Sequence, residues 1–268
     1  MNFAKPELLA PAGDYTRFRY AVEYGADAVY VGGEEFSLRT AVANFPRADL
    51  ARAVDYAHRR NVRVYVACNT VPRNDEIERF SDYLQFLKKI EVDALIVSDL
   101  GLFMMIRDEC PEMELHVSTQ ANISNYADCL AWYRLGAKRV VLARELTFDE
   151  ITQIRLRTPG SLEIEAFVHG AMCVSHSGRC LLSNFMTGRD ANRGNCAQAC
   201  RWKYNLVEEK RPGQYMPVEE TDTGTFIFNS KDLCMIDHVP DLISAGITSF
   251  KIEEIVEKIL VEQLSASK

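Results

Sequence analysis

Short apolar runs rich in β-branched residues alternate along the first 170 positions with longer segments whose apolar residues recur at helical spacing. That alternation is the pattern of βα units built around a parallel sheet. ELLAP (7–11) predicts a first strand, and the stretch from Asp14, a favourable N-cap residue, to Tyr24 predicts the first helix. DAVYVGG (27–33), VRVYVACN (62–69), DALIVSD (93–99), ELHVSTQ (114–120), RVVLARE (139–145) and LEIEAFVHG (162–170) predict six further strands. Helices are predicted between them near 47–60, 75–90, 100–109, 124–135 and 147–157.

An internal echo extends the series. EYGADAVYVGG, KIEVDALIVSD, RLGAKRVVLARE and SAGITSFKIEE each leave a helix and enter a strand in the same way, three of them through a glycine suited to a helix C-cap. The last makes FKIE an eighth strand, with residues 254–264 as a closing helix. Eight strand–helix units predict an α/β fold of the TIM-type (β/α)8 barrel class. A doubly wound open sheet would carry a Gly-rich phosphate turn after its first strand, and APAGDY is not one.

Composition leaves that picture in place. The 268 residues are 47% hydrophobic and 26% charged, which excludes collagenous and disordered classes. The net charge of −7 argues against a protein that coats DNA through its whole surface. The N-terminal stretch lacks the apolar core of a signal peptide, and nowhere do 18 apolar residues run together. A cytoplasmic protein with no membrane span is expected, as a single domain over 1–268.

In a barrel, chemistry gathers where the strands end. Those ends here are polar: Glu34 and Glu35, Asn69, Asp99, Gln120 and Asn122, Arg144 and Glu145, His169, and Lys251 with Glu253. His169, Arg144, Lys251 and Glu253 are the candidate catalytic residues.

Eight cysteines sharpen the search. Cys68, Cys110 and Cys129 lie among apolar residues and read as small buried hydrophobes. Cys173, Cys180, Cys196, Cys200 and Cys234 fall within or just beyond a long segment between the seventh and eighth strands, roughly 170–234. A connection of that length is usually functional. No CxxC pair is present, so the spacing suits an iron–sulfur cluster at least as well as zinc, the weaker alternative.

The stretch EAFVHGAMCVSHSGRCLLS (165–183) resembles the signature of the collagenase-like peptidase family, the peptidases of unknown mechanism. The likeness extends to PELLAPAG, DAVYVGG, STQANISN, LAREL, GRDANRGNCAQACRWKY and NSKDL, so it spans almost the whole chain. The family also holds branches for tRNA uridine hydroxylation, ribosomal-RNA cytidine hydroxylation and oxygen-independent quinone synthesis. The resemblance is strongest to the tRNA branch. It implies a [4Fe–4S] cluster on Cys173, Cys180, Cys196 and Cys234, with Cys200 in reserve, and prephenate or a similar small dicarboxylate as oxygen source. Arg144 and Lys251 would then clamp the dicarboxylate. His169 would donate a proton or hydrogen-bond towards the cluster, and His176 reads as exposed loop. The family's FKIEGR-type ending is replaced at Glu254, and the family's C-terminal extension is expected to be absent.

Two alternatives stand beside RNA hydroxylation. Peptidase activity has no HExxH or GxSxG string to support it, but Cys173 with His169 or His176 offers a thiol–imidazole pair on paper. A cluster-bearing subunit for hydroxylating a quinone precursor, working with a protein partner, is the other. RNA is favoured by Arg179, Arg189, Arg193, Arg201 and Lys203 set against Asp190 alone, with Trp202 and Tyr204 beside them for base stacking.

Overall fold

The structure, a computed structural model, describes residues 5–38, 44–170, 173, 175–202, 205–207, 209–213, 216–217 and 233–253. Eight parallel strands close into a barrel: β1 (Glu7–Ala12), β2 (Ala28–Gly32), β3 (Arg63–Cys68), β4 (Ala94–Val97), β5 (Glu114–Val117), β6 (Arg139–Val141), β7 (Glu163–Gly170) and β8 (Ser249–Ile252). Each pairs with its neighbour in sequence, and β8 lies between β7 and β1. The predicted barrel is the observed one. The helix predicted over 254–264 lies outside the described residues.

Around the strands run α1 (Tyr15–Glu23), α2 (Arg47–His58), α3 (Asn74–Lys89), α4 (Leu100–Glu109), α5 (Tyr126–Leu135) and α6 (Phe148–Leu156). Asp14 caps α1 as expected, its carboxylate accepting from Arg17 N at 2.8 Å. Each helix turns one apolar stripe inward; in α3 it is Phe80, Tyr83, Leu84 and Leu87, all buried. Burying a side chain of that size contributes about 1.5–3 kcal/mol, so these stripes supply most of the drive for closure. Cys68, Cys110 and Cys129 are fully buried in this layer, as their apolar surroundings predict.

The echoed helix exits share one geometry. Gly25, Gly136 and Gly246 adopt φ of 95°, 106° and 86°, and the next residue's N–H reaches back five positions: Ala26 to Ala21, Ala137 to Trp132, Ile247 to Leu242. Asn61 and Glu91 fill the same position after α2 and α3 at φ of 57° and 59°, with Val62 N and Val92 N making the equivalent bonds. This closure satisfies orphan carbonyls and feeds the chain into the next strand.

The barrel interior is lopsided. From β1 to β4 it is filled by Leu9, Ala28, Tyr30, Tyr65, Ala94 and Ile96. From β5 to β8 it is charged. Arg139, 1% exposed, donates to Glu7 (2.6 Å), Glu163 (2.6 Å), Glu165 (2.9 Å) and Ser249 (3.1 Å).

Candidate active site

At the C-terminal ends of the strands, several predicted polar residues hold the cysteine insertion. Arg179 Nε donates to the Gln120 carbonyl at 2.9 Å, Ser177 N donates to Glu145 Oε1 at 3.0 Å, and His176 hydrogen-bonds Asn122. Gly178 belongs to the same contact: at φ 74° a Cβ there would stand 2.6 Å from Gln120 Nε2. His176 is exposed as expected, yet it is a docking residue, with Glu145 3.9 Å from its Nε2. Asp99 has a local task, capping α4 through Leu102 N at 3.0 Å. Glu35 pairs with Arg47, and Asn69 accepts from Leu38 N.

The four catalytic candidates come together on β6, β7 and β8. Arg144, just beyond β6, donates to Glu253 Oε2 at 2.6 Å, and its guanidinium lies 5.1 Å from the centroid of the Phe167 ring. Glu253 N donates to the His169 carbonyl, which ties the end of β8 to the end of β7. A Cβ on Gly170 would fall 2.4 Å from Glu253 Cβ, so this junction requires glycine. Lys251 lies deeper than a clamp at the mouth: it is 5% exposed, donates to Glu165 Oε1 at 3.0 Å, and stands 4.3 Å from the Tyr30 ring centroid. Burial alone would raise the Glu165 carboxyl, but Lys251 and Arg139 hold it down at about 2.

Cys173 follows β7 directly, and its sulfur accepts from Ser175 N. Burial pushes its thiol up, Ser175 N–H and Arg144 draw it back, and Cys180 and Cys200 add to the rise. Asn192 grips Cys180 from both sides, accepting from its N–H at 3.2 Å and donating to its carbonyl at 3.0 Å. Cys234 arrives on a short strand, Leu233–Cys234, that pairs antiparallel with Gly170 and His169. Cys196 is exposed, with its carbonyl held by Arg189. Among the described residues no three His, Cys, Asp or Glu side chains stand close enough to hold a single metal ion.

Sequence periodicity gave no hint of the helix inside the insertion, α7 (Leu182–Thr187), which packs on the turn Ala199–Arg201. Lys203, Tyr204 and Glu254 lie outside the described residues. Among these, no helix is long and apolar enough to cross a membrane.

The profile of Peptidase family U32 matches residues 13–261. The tRNA hydroxylation protein P of Escherichia coli (strain K12) is 41% identical over 93% of this chain, which spans 63% of that protein's length. The 23S rRNA 5-hydroxycytidine C2501 synthase of the same organism is 39% identical over 92% of this chain and 36% of its own. The solved U32 peptidase Mk0906 shares the fold, with a TM-score of 0.63 at 15% identity and 96% coverage of both chains. The barrel, the cysteine insertion docked at its mouth and this profile match agree: the chain belongs to Peptidase family U32.

Proposed function

We propose that this chain hydroxylates RNA, a tRNA uridine first among substrates, using a [4Fe–4S] cluster and prephenate as oxygen source. The observation that carries the reading is the pairing of Leu233–Cys234 with Gly170 and His169 at the end of β7, which sets Cys234 against the strand that leads into Cys173, 61 positions earlier. The names of the tRNA- and rRNA-hydroxylating relatives support the substrate class.

Cys173, Cys180 and Cys234 would hold the cluster, with the fourth thiolate coming from Cys196 or Cys200. Soft thiolate donors suit an iron–sulfur cluster as well as they suit zinc. When bound, such a cluster supplies one-electron chemistry and a Lewis-acidic iron. The remaining work belongs to the protein. Arg144 binds a carboxylate of the donor by charge-assisted hydrogen bonds, exchanging Glu253 for it. Glu253, displaced from Arg144, and His169 would hold or pass a proton beside the donor, on strand ends kept together by the backbone bond from Glu253 N–H to the His169 carbonyl. Lys251 acts from below, keeping Glu165 ionised and the floor of the site rigid.

A cysteine peptidase needs a lowered thiol beside an imidazole. Neither His169 nor His176 hydrogen-bonds a cysteine among the described residues. Protein purified without air should carry iron and sulfide, absorb broadly in the visible, and hydroxylate unmodified tRNA when given prephenate. Colourless protein that cuts denatured collagen and leaves tRNA unchanged would overturn this function.

A further inference from the structure

Beside the cysteines, a cleft of about 450 Å³ opens between the β3–α3 connection and the insertion. Val71, Pro72 and Arg73 line one wall; Arg179, Leu181 and Asn192 line the other. The walls are tied together, because Val71 N donates to the Asn192 carbonyl at 3.2 Å and Arg193 pairs with Glu76 at 2.8 Å. The cleft is thus a built feature of the fold, anchored on both sides. It is also joined to the cysteine centre: Arg179 and Leu181 flank Cys180, and Asn192 grips that residue's backbone from both sides.

The charged side chains lining the cleft are Arg73, Arg179 and Arg193 against Asp190, a net positive set. Arg73 and Arg179 are exposed, and Arg179 spends only its Nε on Gln120. Asp190, the cleft's one carboxylate, is engaged in capping the Asn192 N–H at 2.9 Å. On a chain of net charge −7, a polyanion can be held only where the local sign is reversed. Leu181, on the cleft wall, is 78% exposed, and Phe185, one helical turn further along α7 with its N–H on the Leu181 carbonyl at 3.0 Å, is 86% exposed. An exposed aromatic beside a cationic groove is the arrangement that stacks unpaired bases while the arginines track phosphates.

We propose that this cleft is the groove for the RNA strand, with Arg73 and Arg179 on the phosphates and Phe185 under a base. The proposal rests on the RNA-hydroxylation reading above and adds where the strand lies. A strand in the groove runs past Cys180, which brings the target nucleotide to the cysteine centre.

The test is binding of unmodified tRNA by the full chain, measured by fluorescence anisotropy across a salt series. The double variant Arg73→Glu/Arg179→Glu should bind at least tenfold more weakly, and its log–log salt slope should shrink by about 1.4, near 0.7 per lost phosphate contact. Phe185→Ala should weaken binding about tenfold with the slope unchanged. Arg134→Glu/Lys89→Glu, in the last turns of α5 and α3 and far from the cleft, should bind as the parent does. Circular dichroism melts verify that each variant is folded. If the parent binds and the Arg73/Arg179 variant binds equally well, the groove is wrong and the RNA reading stands. If the parent binds no tRNA at any salt concentration, both fall.

Discussion

Lys251 Nζ and Glu165 Oε1 are 3.0 Å apart in the barrel interior, on adjacent parallel strands, with 5% and 0% of their surfaces exposed. The two carboxylate oxygens are shared out: Oε1 to Lys251, and Oε2 to Arg139 at 2.9 Å and to Ser249 at 3.1 Å. Neutralising Glu165 removes the buried carboxylate that Lys251 and Arg139 share, while Arg139 keeps Glu7 and Glu163. Glu165→Gln should therefore cost about 3–5 kcal/mol, lowering the melting temperature by roughly 10 °C. Adding Lys251→Met to Glu165→Gln should recover part of the loss, because the stranded cation goes with it. A melting series of the two single variants and the double checks this; strictly additive losses would refute the coupling.

The same carboxylate sets an acid limit. Its folded value, about 2, lies below the ordinary 4.5, so its contribution is complete above 4.5 and drains away as pH falls towards 2. The amount at stake is on the order of 3 kcal/mol. Denaturant midpoints of the parent should fall between pH 4.5 and 2. In a Glu165→Gln/Lys251→Met background that part of the slope should flatten.

How far the sequence could be read depends on where each residue's partner lies. The barrel was legible because strands such as β2 and β4 are buried on both faces and so appear as continuous apolar runs, AVYVG and ALIV. Arg144, His169 and Glu253 were legible as a group because they sit just past those runs. The partnership of Lys251 was not, since Glu165 is 86 positions away and nothing local joins them. A signal does exist in β7, where Glu163, Glu165, Phe167 and His169 alternate with Ile164, Ala166 and Val168. A strand that sets Glu163, Glu165 and His169 on one face, with only Phe167 among them apolar, points a charged face into the barrel. Gln120, Asn122 and Glu145 were legible only as polar strand ends, and their docking of the insertion depends on partners more than 30 positions away. The insertion itself has no period, so α7 and its cleft had no sequence signature.

The echo after the helices gives a stability prediction. Glu91 occupies the position that Gly25, Gly136 and Gly246 hold in the parallel exits, at φ 59°. A side chain in the left-handed region costs about 1–2 kcal/mol, while glycine's greater freedom when unfolded returns about 0.5–1 of that. Glu91→Gly should thus raise stability by about 0.5–1 kcal/mol without touching the site. Urea denaturation reads it directly, and a lowered midpoint would mean that the Glu91 side chain makes a compensating contact.

The cysteines offer the sharpest chemical test, because cluster ligation asks for several thiolates at once. Replacing Cys173, Cys180 or Cys234 by Ala should in each case remove iron together with tRNA hydroxylation. Cys196 and Cys200 should behave oppositely to each other, one losing iron and the other keeping it. Their surroundings already differ, since Cys200 is half-buried and felt by Cys173 while Cys196 is exposed. The buried Cys68, Cys110 and Cys129 serve as controls whose replacement costs packing but leaves the iron per folded chain unchanged. Iron and sulfide assays on anaerobically purified variants decide among the outcomes. Retention of iron in all five late-cysteine variants would remove the cluster from this site. Loss of activity in Cys173→Ala alone, with no iron in any preparation, would return the chain to peptidase chemistry.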